Sequence, residues 1–125
     1  MGPEKTYETR VKELIRNSGG WLVKYWGGGQ FTTSGVPDIL ACVNGKFLGI
    51  EVKGKHGKAS ELQIYTLHEL DKAHGYAILL YPDDWNTFKE FIIRLSKNDA
   101  LANGFYQELK PRWKKIYDTL LPQQN

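Results

Sequence analysis

The chain has little of the residue types that build closed metal cages and covalent cross-links. Only one of its 125 residues is cysteine, so an internal disulfide and a cysteine-based zinc site are excluded. This residue, Cys42, lies in an apolar run. The three histidines, His56, His68 and His74, lack metal-ligand spacing. No apolar run approaches the roughly 20 residues of a membrane span, and a signal-peptide core is absent. We therefore expect a cytoplasmic protein without a membrane partner.

Length and charge limit the organisation of the chain. A length of 125 residues suits one domain, which buries about two-thirds of its unfolded surface. The formal charge of +3 permits a phosphate-backbone partner but does not demand one. We expect a single domain over 1–125, with a core over about 4–81 and a helical extension over about 84–120.

Hydrophobic periodicity and turn residues predict the order of the elements. The predicted sequence is helix 4–18, strands 21–26, 37–43 and 46–53, helix 60–74, strand 76–81, a helix capped by Asp84, and helices over 99–109 and 111–120. The order αβββαβ predicts an α/β fold with a mixed β-sheet flanked by helices.

Two consecutive strands carry charges at one end. Asp38 opens the first strand, and Glu51 and Lys53 close the second, where residues two apart share a face. The connection contains Asn44-Gly45, the dipeptide favoured by tight two-residue hairpins. If the strands pair about this turn, Asp38 lies opposite the region of Glu51, so two carboxylates converge.

Converging carboxylates raise one another's pKa unless a cation lies between them. Oxygen ligands without thiols favour a hard ion, Mg²⁺ or Mn²⁺, which activates water and polarises a phosphoryl oxygen. Lys53 is then placed to orient the attacking water or to offset charge on the phosphate. The set therefore predicts a divalent-metal nuclease site. The alternative is a surface hairpin in which Asp38 caps a turn and Glu51 and Lys53 form an exposed ion pair.

The motif Pro37-Asp38 followed by Glu51-Val52-Lys53 resembles the PD-(D/E)XK nuclease signature. More narrowly, residues 6–80 are similar to a stand-alone virus-type replication-repair nuclease (VRR-NUC) domain, related to archaeal-type Holliday junction resolvases. The resemblance implies a restriction-endonuclease-like core in which Asp38, Glu51 and the Val52 carbonyl bind Mg²⁺, with Mn²⁺ able to substitute. It also implies a homodimer that cleaves four-way or otherwise branched DNA, in a chain that a virus or phage encodes and that acts in the host cytoplasm.

The same resemblance gives two further residues a role. Glu8 stands eleven residues before Gly19, where the family has an acid that contributes to the metal site directly or through water. Gln63 opens the helix after the second charged strand and would support Lys53 or the phosphate. Glu4 is the rival for the helix acid, and both acids also suit a helix N-terminus through the macrodipole. Gln63 equally fits a capping box that begins at Ser60.

Two loops are predicted to contact DNA. Residues 26–35 are rich in glycine, and their amides and the Ser34 hydroxyl can meet a phosphate. This loop lacks the Gly-Lys-Ser/Thr ending of a nucleotide-binding P-loop. Residues 53–58 contribute Lys55 and Lys58, whose contacts with phosphates would weaken as salt rises. Basic residues around Trp113 form a candidate second patch, with a solvated helix face as the alternative.

Two other functions remain open at this point. The same fold can act on RNA or on a specific duplex site, because substrate choice lies in loops and assembly. The chain can also be a nucleic-acid-binding module with an inactive site, although acid, acid and lysine are all present.

Overall fold

The computed structural model describes residues 2–27 and 33–121 of the chain, and these residues form an α/β fold. The elements in chain order are helix α1 (Pro3–Asn17), strands β1 (Trp21–Lys24), β2 (Ile39–Val43) and β3 (Lys46–Val52), helix α2 (Glu61–Lys72), strand β4 (Tyr76–Leu80), and helices α3 (Trp85–Ser96), α4 (Ala102–Leu109) and α5 (Pro111–Leu120). The predicted order αβββαβ followed by helices is confirmed, with strand β1 two residues shorter than predicted.

The four strands form one mixed, open sheet in the order β1-β2-β3-β4. Strands β1, β2 and β3 are antiparallel neighbours, whereas β4 runs parallel to β3 after the crossover through α2. The predicted hairpin is present, because Asn44 and Gly45 both have positive φ, 49° and 77°, as a two-residue turn of this kind requires. The register pairs Ile39 with Ile50, which places Asp38 beside Glu51.

Helices cover both faces of the sheet. On one face α1, α3 and α4 bury the larger apolar cluster, which includes Val11, Ile15, Ile39, Ile50, Ile78, Phe88 and Phe91. On the other face α2 and α5 bury a smaller cluster of Ile64, Leu67, Ala77, Leu79 and Trp113. Burial on both faces explains why β3 and β4 are continuous apolar runs.

Helix α1 buries one apolar stripe against the sheet. Tyr7, Val11 and Ile15 are buried, and the chain leaves the helix at Gly19, whose φ of 84° favours glycine. None of the helices in the described ranges is long and apolar enough to cross a membrane.

The predicted cap of α3 is wrong in its chemistry. Asp84 occupies the N-cap position, but its side chain makes no capping hydrogen bond to α3. Its Oδ2 instead accepts a hydrogen bond from the Tyr81 N–H at 3.2 Å and pairs with Arg112 at 3.0 Å. A short 3-10 turn, Pro82–Asp84, leads directly into α3, so the carboxylate closes that turn.

The basic residues around Trp113 are mostly engaged within the protein. Lys110 pairs with Asp71, Arg112 pairs with Asp84, and Lys114 pairs with Asp118. The Trp113 ring itself is fully buried. These ion pairs favour a structural role for the basic residues over contact with DNA.

Candidate functional site

Asp38 and Glu51 converge where β2 begins and β3 ends. The Asp38 N–H donates a hydrogen bond to Glu51 Oε1 at 3.2 Å, and the Val52 N–H donates to Asp38 Oδ2 at 3.1 Å. Each carboxylate is thus fixed by the backbone of the other strand. The pairing register brings the two acids together as the sequence predicts.

Burial gives this carboxylate pair an unusual electrostatic state. Glu51 is only 2% exposed. Burial is the main cause that raises the pKa of Glu51 to about 7; the negative charge of Asp38 raises it further, and Lys53 opposes both. Buried Glu51 therefore holds a proton more readily than an exposed carboxyl group does. An added divalent cation would favour the ionised form of both acids.

Lys53 and Gln63 both contact the same oxygen of Glu51. Lys53 Nζ lies 3.3 Å from Glu51 Oε2, and Gln63 Nε2 donates to that oxygen at 2.8 Å. Gln63 also forms the predicted capping box, since its Oε1 accepts from the Ser60 N–H and its own N–H donates to Ser60 Oγ. The capping box is thus confirmed, and the same side chain also contacts Glu51; its support of Lys53 or the phosphate stays a prediction.

The structure separates the two acids of α1. Glu8 is 7% exposed and contacts Lys24 Nζ at 2.5 Å and Lys12 Nζ at 3.2 Å. Burial raises the pKa of Glu8, but the hydrogen bonds and charges of Lys24 and Lys12 outweigh it and lower the pKa overall. Glu4 is exposed, and its Oε1 accepts from the Gly54 N–H at 3.1 Å. Glu8 is the acid that is linked to the carboxylate pair, whereas Glu4 holds the loop after β3.

Lys24 makes that link, and sequence analysis assigned it no role. Its Nζ lies 3.8 Å from Asp38 Oδ1 while it also binds Glu8. The available signal was the pairing of β1 with β2, in which Lys24 lies opposite Ile39 and the Tyr25 N–H donates to the Asp38 carbonyl at 2.8 Å. Pairing of the predicted strands 21–26 and 37–43 is thus the sequence feature that would place Lys24 near Asp38.

The donor set fits a hard divalent ion that keeps much of its water. Mg²⁺ is commonly held by one or two carboxylates together with water and substrate phosphate, and Asp38 and Glu51 supply such a pair. Within residues 2–27 and 33–121 no group of three or more His, Cys, Asp or Glu side chains is gathered for a metal. A lysine lies where a third acid would join the pair, because Lys24 is placed between Glu8 and Asp38. A direct contribution from Glu8 and the ligand role of the Val52 carbonyl stay predictions.

A polar pocket of 260 Å³ adjoins the carboxylates. Asp38 and Gln63 line it together with Tyr25, Val36 and four residues of the glycine-rich loop: Gly27, Thr33, Ser34 and Gly35. Tyr25 fixes the end of this loop, because its hydroxyl donates to the Thr33 carbonyl and accepts from the Thr33 N–H. The centre of the predicted loop, residues 28–32, lies outside the described residues. A larger groove of 740 Å³, between α1 and Pro82, lies away from these acids.

The other predicted DNA contacts lie at the surface near the site. Ser34 is exposed at the rim of the polar pocket. Lys55 and Lys58 are exposed in the loop after Lys53, which is held by the Tyr81 hydroxyl donating to the Gly57 carbonyl at 2.8 Å. These two lysines are therefore free to meet solvent or a ligand, and neither contacts the carboxylate pair.

Comparison of the chain with protein-family models, with curated proteins and with solved structures finds no match. The functional interpretation therefore rests on the residues and their geometry.

Proposed function

We propose that this protein is a Mg²⁺-dependent DNA endonuclease with a restriction-endonuclease-like core of the PD-(D/E)XK type, close to VRR-NUC domains. One observation carries the proposal. Asp38 and Glu51 are fixed against each other by backbone hydrogen bonds, with Lys53 3.3 Å from Glu51. Two acids and a lysine in this order on adjacent strands suit phosphodiester hydrolysis. The alternative, an exposed ion pair of Glu51 with Lys53, fits less well because Glu51 is buried.

The residues divide the work of the reaction. Asp38, Glu51 and the Val52 carbonyl would hold the ion, with Glu8 contributing directly or through water. Mg²⁺, or Mn²⁺ in its place, supplies Lewis-acid chemistry that lowers the pKa of bound water and polarises a phosphoryl oxygen. Lys53 holds the attacking water or offsets charge that develops on the phosphate. Gln63 keeps Glu51 oriented through its 2.8 Å hydrogen bond.

Branched DNA, four-way junctions above all, is the proposed substrate class, and a homodimer is the proposed assembly. Symmetric cuts across a junction require two active sites related by a two-fold axis. Ser34 lies at the rim of the polar pocket, and Lys55 and Lys58 are exposed on the loop after Lys53; all three would contact phosphates. RNA or a specific duplex site is the alternative substrate for the same chemistry.

The test is a cleavage assay on end-labelled four-way junction, flap, linear duplex and single-stranded DNA, with Mg²⁺ or with chelator. We expect symmetric, metal-dependent cuts in the junction. Asp38→Asn should lower turnover by at least about 100-fold, because it removes one of two charged ligands, while DNA binding persists. Asp83→Asn is the matched control, since Asp83 is an exposed acid after β4.

Two outcomes would contradict the proposal. Near-normal turnover by Asp38→Asn would remove the central assignment. Tight, metal-independent binding of junctions without cleavage would favour a binding module. An RNA four-way junction is assayed beside the DNA probes, and its cleavage alone would retain the catalytic site and replace the substrate.

A further inference from the structure

Trp26 is an exposed aromatic residue beside the carboxylate pair. Its exposed fraction is 69%, whereas Trp113 is fully buried in the core. It directly follows Tyr25, whose N–H donates to the Asp38 carbonyl. The backbone that carries the ring is therefore fixed to the candidate catalytic strand. An exposed ring of this size in such a place is suited to a ligand rather than to the core.

Two lysine amines lie near the face of this ring. Lys24 Nζ is 5.4 Å and Lys5 Nζ is 5.5 Å from the ring centroid, both within the range of a cation–π interaction. The same Lys24 amine is 3.8 Å from Asp38 Oδ1. The Trp26 ring, the Lys24 amine and the Asp38 carboxylate therefore lie next to one another. The nucleotide that carries the scissile phosphate, or the neighbouring nucleotide, would reach the ring.

The chemistry of this surface selects its ligand. An apolar protein segment would leave two ammonium groups desolvated against it, which is unfavourable. A nucleotide meets both requirements, because its base has a flat π face and its phosphate carries negative charge. In a duplex, neighbouring bases cover the faces of each base, so only an unpaired or displaced base can stack on a side chain.

We propose that Trp26 is a positioning residue that stacks on an unpaired nucleobase next to the cleaved phosphodiester. This inference rests on the proposed nuclease function and adds the feature that the enzyme recognises, a nucleotide displaced from the helical stack. Lys5 and Lys24 would hold the ring and the adjoining phosphate. The inference assigns Trp26 to substrate selection and no bond-breaking step to it.

The test compares Trp26→Ala, Trp26→Phe and Trp21→Ala. Trp21 is the matched control, because it lies at the far end of β1, a strand that ends two residues before Trp26, and has an exposed fraction of 62%. The probes are a duplex with one unpaired 2-aminopurine at the cut position and the same duplex fully paired. Binding is measured with chelator, and cleavage with Mg²⁺.

We expect Trp26→Ala to bind the unpaired probe about 5- to 100-fold more weakly, the range of one lost aromatic stack. Trp26→Phe should retain most of the affinity, and Trp21→Ala all of it. Binding of the paired duplex should change in none of the variants. The 2-aminopurine fluorescence should be quenched by wild type and by Trp21→Ala, and not by Trp26→Ala.

Three results would overturn the inference. Equal affinity of Trp26→Ala and wild type for the unpaired probe would show that the ring makes no base contact. Equal weakening on paired and unpaired probes would show a general effect of the substitution. Weakening by Trp26→Phe as large as by Trp26→Ala would point to a structural role. In each case, metal-dependent cleavage by wild type that Asp38→Asn abolishes would leave the proposed function intact, whereas its absence would reject that function.

Discussion

Lys24 shows how single side chains balance the charges of this site. It lies between Glu8 on α1 and Asp38 at the start of β2, so one ammonium group serves two acids from different elements. Glu51, by contrast, has Lys53 and Gln63 as donors and remains deeply buried. The acids on the side of α1 therefore share ammonium groups, whereas Glu51 depends on Lys53 and Gln63 within a buried environment.

Glu51 should make the stability of the metal-free protein depend on pH. In the unfolded chain this group ionises near 4.5, whereas in the folded chain its pKa is about 7, so the folded state binds the proton more tightly. The contribution of Glu51 to the free energy of unfolding is therefore complete below pH 4.5 and is lost as the pH rises through about 7. At pH 8 in chelator, Glu51→Gln should raise the free energy of unfolding by about 1–2 kcal/mol.

Urea unfolding with and without Mg²⁺ checks this prediction. Mg²⁺ should stabilise the wild type at pH 8 and have little effect on Glu51→Gln, because the variant lacks the charge that binds the ion. Glu13→Gln, a substitution of an exposed acid on α1, serves as control. Destabilisation by Glu51→Gln at pH 8 in chelator would contradict the assigned pKa shift.

At the scale of elements, the contact between α2 and the sheet sets the position of the site. Gly49 on β3 leaves room for Leu70 of α2 and for Pro37, since a Cβ there would lie 2.6 Å from Leu70 Cδ2 and 3.1 Å from Pro37 Cγ. Pro37 directly precedes Asp38, and α2 carries Gln63. A small residue at this one strand position therefore lets both neighbours pack closely against β3, the strand that carries Glu51.

Gly49→Ala should destabilise the protein by about 1–3 kcal/mol, because the added methyl group overpacks this contact. It should also lower cleavage activity, since Leu70 and Pro37 must move. Gly104→Ala is the matched control, because a Cβ there meets nothing within 4 Å and alanine favours the helix. Thermal unfolding and cleavage rates measure both effects. Unchanged stability in Gly49→Ala would show that α2 shifts without cost.

Sequence patterns predicted elements better than they predicted contacts between distant side chains. The hairpin at Asn44-Gly45 fixed the register, so the meeting of Asp38 with Glu51 followed from local rules. Lys24 was missed because its partners come from α1 and β2, and only the pairing of β1 brings them together. The predicted capping role of Asp84 is wrong because its carboxylate binds Arg112, which is 28 residues away in the chain, and the Tyr81 N–H.

At the scale of the whole molecule, the helices after β4 are part of the same core. Strand β4 is at the edge of the sheet, and two side chains satisfy its backbone at Ala77. The Ala77 N–H donates to the Tyr106 hydroxyl at 3.1 Å, and Trp113 Nε1 donates to the Ala77 carbonyl at 2.8 Å. Helices α4 and α5 thereby cover an edge that would otherwise be open to pairing with another chain.

Trp113→Ala should destabilise the whole domain by about 3–5 kcal/mol, the usual range for deletion of a buried tryptophan side chain. Because both apolar clusters pack on the same sheet, unfolding should remain a single transition that circular dichroism and cleavage activity follow together. Trp21→Ala, which removes an exposed ring, should change stability little. Separate transitions for the C-terminal helices and for activity would show that residues 84–120 fold independently.

Gln63 connects the first turn of α2 to the candidate site. Its side chain closes the capping box with Ser60 and holds Glu51 at the same time. Fraying of the first turn of α2 therefore withdraws the donor from Glu51 while the rest of the domain is still folded. In a chain that is only partly folded, as during synthesis, this carboxylate would lack its amide donor, so the nuclease activity that we propose would begin only once the first turn of α2 has formed.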